Sequence, residues 1–484
     1  MLEKSTINLH TVEKLVHNLT FLYIFYLLAE LLSKVLNISD NIFNFVNWFG
    51  PLVFLFICCL SCYQLLKDNF IILFTPFFFY LVFSAINFGF GPLIFTFGDS
   101  ESIEYINLPY QPSSYELYRT NLLNIIGTLA TCIPFAIVIK KFKFIILNKR
   151  LQQRNHDSEA TFAALAFLIV GFTVKYLILL PNLYSSSRIT IPVVFSQLGE
   201  LTSVSLLLLS YLFFSGKGKK YLVILVLVSL PELLTGLLSF SKLSFLTTPM
   251  CILIGYVMAK PKLKITLLAL IIISIAYLWI LPFVNWGRTQ TSEIGSNSFN
   301  QNLAILIKYL ENQEEISNTE DLKQGWWIRL YLANFQAYAM NEYDKGQPSD
   351  NISKYFLWTF IPRFVYPDKP IITNAGIEFS MRVMGTSTTS TGVSTFGDAY
   401  FNGGWGMVVL TAAIIGVLLA IATRLVLITV KNRAFVFLPL VLLGIINARA
   451  IETRFVEVFS GLIIGVILNF IVLYFIFYKL RRKH

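Results

Sequence analysis

The residues best suited to chemistry in this chain are cations set among aromatics. Arg288 stands in "NWGRTQ", and Arg329 in "GWWIRLYLANFQAYAMNEY" (Gly325 to Tyr343). Arg363 and Lys369 belong to "FIPRFVYPDKP" (Phe360 to Pro370), and Arg382 to "SMRVMG". Arg449 and Arg454 flank Glu452. A guanidinium is permanently charged and offers a planar fork that matches phosphate oxygens. Each arginine taken alone is explained by snorkelling or by a neighbouring acid. As a set in an aromatic-rich segment they suit an anionic ligand, such as a lipid phosphate or pyrophosphate. The prolines of Phe360 to Pro370 lock φ and would hold Arg363 and Lys369 in a rigid turn.

A second pattern suits sugars, whose apolar ring faces stack on aromatics. The aromatic helix carrying Tyr338 is one element of it. The other is "STTSTGVSTFGDAYFNGGWG" (Ser387 to Gly406), rich in hydroxyls and glycine and carrying Tyr400 and Asn402. Glycine allows backbone to approach a ligand closely. Lys175, Glu200, Glu232 and Lys242 lie within apolar runs. Ionisable groups at that depth are costly and are functional candidates. Glu232 follows Pro231, which should kink its helix and turn the carboxylate toward an outward cavity, while Glu200 is expected to pair with Lys175.

Other chemistries lack their residues. There is no phosphate-binding glycine loop, dinucleotide fingerprint or zinc-ligand spacing, so no metal and no cofactor is expected. His10, His17, His156 and His484 all fall on or near the cytoplasmic side of the topology below. "CCLSC" (Cys58 to Cys62) lies in an apolar run without charged partners and is read as packing. The net charge of +11 is not a nucleic-acid signal. Much of it sits in short loops such as "KKFKFIILNKR" and "GKGKK" and in the tail "KLRRKH", the positive-inside pattern of a membrane protein.

The elements that must position these residues are membrane helices. The chain is 56% hydrophobic and 13% charged over 484 residues. Apolar runs of bilayer length recur, which makes it an all-α polytopic protein with about twelve spans. The first run, Leu15 to Leu36, is too long for a signal peptide and is expected to be retained. Lysine and arginine crowd the even-numbered connections, placing both termini in the cytoplasm. The connection from Gly91 to Thr120 faces out and carries Asp99, Glu101, Glu104 and Glu116 against Arg119 alone. The expected organisation is 1–284 for nine spans, 285–404 for a large outer loop, and 405–484 for three spans and a basic tail. Loops of this length are usually functional or disordered. Leu303, Leu306, Ile307 and Leu310 on one helical face point to a folded lid with interfacial helices.

Two stretches of this loop resemble the large external loop of Wzy-type O-antigen and polysaccharide repeat-unit polymerases. In "IPRFVYPDKPIITNAGIEFSMRV" the matching positions are Pro362, Arg363, Pro367, Lys369 and Pro370, then Gly376 and Phe379. In "STFGDAYFNGGWG" they are Gly397, Tyr400, Asn402 and Gly404. The likeness is close over roughly 50 residues and elsewhere is one of hydropathy alone. It implies a fold similar to the GT-C membrane glycosyltransferases, in the bacterial inner membrane with the loop in the periplasm. It implies transfer of a growing glycan from undecaprenyl pyrophosphate to the non-reducing end of a lipid-linked repeat unit. The implied partners are that lipid-linked oligosaccharide, the bilayer and a chain-length regulator protein, without metal or nucleotide sugar.

On this likeness Arg288, Arg329 and Arg363 are pyrophosphate or lid cations, with Lys369 and Arg382 next. Glu232, Asp398 or Glu452 would take the acceptor proton. Tyr338, Tyr400, Asn402, Arg449 and Arg454 complete the expected substrate contacts. An O-antigen ligase is the nearest alternative, but such ligases generally rely on a loop histidine, and this loop has none. A flippase or secondary transporter of lipid-linked oligosaccharides would suit the span count but not the long loop. An adaptor without activity is the remaining alternative.

Overall fold

The computed structural model describes residues 7–141, 156–184, 191, 193–260, 262–294, 298–311, 330–361, 366, 368–370, 374–386, 390–431, 434–449 and 451–481. Every regular element among them is helical. In chain order the main helices are α1 (Leu9–Leu36), α2 (Ser39–Asp68), α3 (Pro76–Ser84), α4 (Ser100–Asn107) and α5 (Ser114–Lys141). Next come α6 (His156–Val174), α7 (Leu201–Phe214), α8 (Lys220–Leu238), α9 (Lys242–Ala259), α10 (Leu263–Ile294) and α11 (Phe299–Glu311). The last are α12 (Ala333–Asp344), α13 (Asn374–Met384), α14 (Thr395–Lys431), α15 (Leu438–Arg449) and α16 (Phe455–Arg481).

Ten helices among the described residues are long and apolar enough to cross a membrane. The protein is therefore an all-helical polytopic membrane protein. The other two of the about twelve expected spans coincide with the shorter apolar helices Phe435–Arg449 and Phe455–Ile471. The first span starts at Leu9, ahead of the apolar run at Leu15, and the third starts at Pro76, not at Asn69. Asn69 caps a 3₁₀ turn instead, accepting from the Ile71 amide. Thr75 then caps α3, with Pro76 at its first position, where the missing N–H costs nothing.

The chain divides into two compact units. The first holds Met1–Asn148, Gly325–Lys431 and Leu440–Ile467. Its centre is the pairing of α5 with α14. A Cβ on Gly127 would meet the Phe396 ring at 2.5 Å, and one on Gly416 would collide with the Thr131 carbonyl. Small residues let membrane helices approach this closely, and dispersion between the backbones then replaces the hydrophobic effect. The Phe77 amide donates to Thr423 Oγ1 at 3.2 Å, tying α3 to α14. Gly404 interrupts α14 with φ +61°, a conformation that favours glycine, and the Tyr343 ring packs where a Cβ would project. The residues before this break, Thr395 to Asn402, form a helical segment of their own.

The second unit holds Lys149–Gln324, Asn432–Pro439 and Leu468–His484. Ser205 Oγ donates to the Ala164 carbonyl at 2.8 Å, and Ser210 Oγ to that of Ile252 at 2.7 Å. These bonds satisfy polar groups between α6, α7 and α9. Helix α6 runs into a π turn at Lys175–Leu179. Helix α11 forms where the apolar periodicity places it. It exposes Leu303, Ile307 and Leu310 and buries Ile305 and Tyr309 against Phe283 and Phe240.

The α5–α14 contact yields a direct test. Gly416→Val should lower stability in detergent by about 1–3 kcal/mol through overpacking. Gly406 lies in the same helix with nothing within 4 Å of its Cβ position. Gly406→Ala should leave stability unchanged or slightly raised. Equal thermal unfolding of the two variants would show that the close approach is not needed.

Candidate functional site

The predicted polar residues that the structure brings together lie in the first unit, along one short polar helix, α12. The expected helix over Gly325 to Tyr343 is shorter than its aromatic pattern suggests. Residues 325–329 lie outside the described residues, and α12 begins only at Ala333. Tyr331 precedes it, packed edge-on against Phe95 at 5.0 Å, and its hydroxyl donates to Asn334 Oδ1 at 2.7 Å. Asn334 in turn donates to the Ile106 carbonyl and to Asn107 Oδ1, so α4 is stitched to α12. Beside this stitch lies a groove of about 410 Å³, lined by Tyr105, Leu108, Pro109, Phe335, Val383 and Met384 among others. That is the size of a small-ligand pocket.

Further along α12, buried Gln336 exchanges two hydrogen bonds with Asn124 of α5, at 2.8 and 3.2 Å. It also donates to Ser394 Oγ at 2.6 Å. The Tyr338 hydroxyl donates to the Arg382 carbonyl at 3.1 Å, and its ring meets Tyr110 edge-on. Asn341 donates to the Tyr110 hydroxyl, which donates to Glu116 at 2.5 Å. Burial, and then this bond to Glu116, push the Tyr110 hydroxyl up to about 12, so it remains a donor at neutral pH. The Arg382 guanidinium is exposed and lies over the Phe401 ring at 5.6 Å.

At its last turn α12 carries Asp344. Arg119 Nη1 donates to Asp344 Oδ2 at 2.6 Å, and Arg119 Nη2 to the Tyr400 hydroxyl at 2.8 Å. That hydroxyl donates to Asp344 Oδ1 at 3.0 Å. The Arg119 and Asp344 side chains are 21% and 37% exposed, so the cluster opens to its surroundings. Sequence reasoning did not place Arg119 in a site. The available signal was its isolation, as the sole cation of an acidic connection.

Asp398 and Arg454, expected near substrate, are buried at 1% and 3% exposure. Arg454 Nε stands 3.8 Å from Asp398 Oδ1, Nη1 stands 3.6 Å from Glu457, and Nη2 donates to the Thr391 carbonyl at 3.0 Å. Its guanidinium also stacks over Phe379. Asn402 donates to the Asp398 carbonyl at 2.8 Å and accepts from the Ile352 amide at 2.9 Å. Asn402 therefore ties the 349–352 turn to α14. Glu452 is exposed, and its carbonyl accepts from the Ser394 amide at 3.2 Å. Arg449, half-buried, closes α15. Lys369 is buried and donates to the Ile361 carbonyl at 3.0 Å. Arg329 and Arg363 lie outside the described residues.

Glu232 and Arg288 belong to the second unit. Glu232 is buried, and Lys175 donates to its Oε2, while the Tyr176 hydroxyl donates to Oε1 at 3.1 Å. Lys175 thus pairs with Glu232 where Glu200 was expected. The carboxylate is engaged inside unit 2 rather than presented to a cavity. Arg288 Nε donates to the Phe240 carbonyl at 2.9 Å, just beyond the end of α8. A cation at a helix C-terminus satisfies orphan carbonyls and complements the dipole.

The Asp398–Arg454 pair separates a structural role from a chemical one. Arg454→Met leaves the Asp398 charge buried without its partner and should cost about 3–5 kcal/mol of stability. Asp398→Leu combined with Arg454→Met should recover most of that loss. A single variant that keeps full thermal stability yet loses function would instead place the pair in the chemistry.

No family model matches the chain, and neither a curated protein nor a solved structure matches it.

Proposed function

We propose that this protein is a polysaccharide repeat-unit polymerase of the inner membrane, a metal-independent glycosyltransferase acting at the periplasmic face. The observation that carries the reading is the strip along α12. It combines an aromatic groove, paired amides and a half-open arginine cluster on a short polar helix packed against the membrane helices α5 and α14. Such a surface suits a substrate with apolar sugar faces, hydroxyls and an anionic lipid head. The polymerase-like motif around Arg363, Lys369, Tyr400 and Asn402 supports the same reading.

In this reaction the acceptor hydroxyl attacks the anomeric carbon of the donor glycan. The bond to the lipid pyrophosphate breaks, and the acceptor proton passes to a base. Fixed cations stabilise the charge that develops on the leaving group. Both substrates are confined to one leaflet, so orientation supplies much of the rate. Arg329, Arg363 and Arg382 are the loop cations offered for the leaving group. Of the three carboxylates considered as base, Glu232 and Asp398 are buried, whereas Glu452 is exposed. Glu452 is therefore the carboxylate we assign to the acceptor proton.

A transporter of the same lipid-linked units is the second reading. One observation favours it: the Lys175–Glu232 pair lies within membrane helices, beside a π turn and Pro231. Irregular helices around intramembrane charges are a feature of transporter sites. A single assay separates the two. Purified protein receives undecaprenyl-pyrophosphate repeat units extracted from the source membranes, and the products are run on a gel. A ladder spaced by the repeat, lost in folded Arg363→Ala, is the expected result. Movement of the lipid across liposomes without a ladder would replace the polymerase by the transporter.

A further inference from the structure

The geometry points to a diphosphate seat formed by Arg119 and Tyr400, which here hold the carboxylate of Asp344. This deepens the reading given above, because it names the group that receives the anionic head of the lipid substrate.

Three features support it. The first is shape. Arg119 Nη1 and the Tyr400 hydroxyl each donate to a different oxygen of the same carboxylate, at 2.6 and 3.0 Å. Two donors that hold the O–C–O edge of a carboxylate also fit the O–P–O edge of a phosphate. Arg119 Nη2 remains on the Tyr400 oxygen at 2.8 Å, which keeps the guanidinium and the hydroxyl in register when the anion changes. The Tyr400 ring is itself fixed edge-on by Tyr343 and Trp405.

The second is depth. Arg119 lies about one and a half turns into α5, a membrane-spanning helix that starts at Ser114. With 28 residues, α5 exceeds the roughly 20 that cross a bilayer core, so its first turns suit the level of lipid headgroups, where phosphates are the abundant anions.

The third is release. Asp344 is the last residue of α12 and is more exposed than the arginine it binds. The chain then turns at Gly346, with φ +78° and nothing within 4 Å of its Cβ position. Rotating this one side chain vacates the seat, while Gln336 and Asn334 hold the rest of α12 in place. A partly exposed ion pair is worth little, so a doubly charged head can displace it.

The test is binding to the full chain in lipid nanodiscs, measured calorimetrically. The probes are farnesyl diphosphate, inorganic diphosphate and the uncharged alcohol farnesol. Asp344→Asn removes the competing charge and should tighten diphosphate binding by about tenfold, whereas Arg119→Gln should weaken it by about tenfold or more. Arg119→Lys keeps the charge without the fork and should fall between. Tyr400→Phe should weaken binding about threefold, the loss of one shared donor. Farnesyl diphosphate binding tighter than inorganic diphosphate identifies a lipid source for the head, and equal binding a soluble one. A structural ion pair predicts the opposite sign for Asp344→Asn, which would then bind no better than wild type and unfold at lower temperature. That result, or no diphosphate binding by either protein, overturns the seat. A ladder in the polymerisation assay alongside unchanged binding in Asp344→Asn would keep the polymerase and remove the seat.

Discussion

The first unit depends on how Gln336 is satisfied. Its amide is buried, at 1% exposure, between α5, α12 and the start of α14. A buried amide without partners costs several times what one hydrogen bond returns. Gln336 meets this constraint by pairing with Asn124 in both directions and by reaching Ser394. Each partner belongs to a different segment, so the three come together or not at all. Ser394 shows the force of the constraint. It is buried with φ +66°, a conformation that costs a non-glycine residue of order 1–3 kcal/mol. Its hydroxyl receives Gln336 and the Gly397 amide, and its own amide reaches the Glu452 carbonyl. These bonds offset the strain and set where the short helix carrying Asp398, Tyr400 and Asn402 begins.

From that anchor the site follows along α12. Asn334, Gln336, Tyr338, Asn341 and Asp344 reach several separate segments, yet they ride on one rigid helix of 12 residues. Distances between their contacts are therefore fixed by helical rise and not by loop conformation. A groove stands at one end of the helix and a cation cluster at the other, the separate holds for sugar and head that the proposed function calls for. The Asp398–Arg454 pair supports this arrangement from within, because Arg454 also binds the Thr391 carbonyl and stacks on Phe379.

Much of the fold was legible from hydropathy alone. The bilayer imposes a span of fixed length, and that signal survives any change of packing partner. The amphipathic helix at Phe299–Glu311 was legible for a similar reason, since its periodicity is local. The site was less so. Tyr338, Tyr400 and Asn402 stand out by type and context; Tyr338 lies on α12, Tyr400 bonds Asp344 at its end, and Asn402 ties α14 to Ile352 instead. Arg119 did not stand out, because its partner Asp344 is 225 residues away and no local pattern links them. Asp398 and Arg454 were expected as a base and a substrate contact. The structure buries both and pairs them, and burial is a tertiary property. Lys175 illustrates the same limit. Glu200 and Glu232 are both plausible partners by depth, and only helix rotation decides between them.

The buried and the half-open charge pairs of the first unit answer to different physics. Arg454 and Asp398 are both removed from solvent, so separating them exposes each to the full cost of an uncompensated charge. Such a pair resists exchange with a ligand and fixes structure. Arg119 and Asp344 remain partly exposed, so either charge can be rehydrated or re-paired at small cost. Such a pair can trade partners on the timescale of side-chain motion. The proposed diphosphate seat needs the second kind of pair, backed by the first. Both kinds meet on one short segment, since Asp398 and Tyr400 stand two residues apart in the first turns of α14. The segment thus has one face locked into the protein and another, through Tyr400, shared with the exchangeable pair.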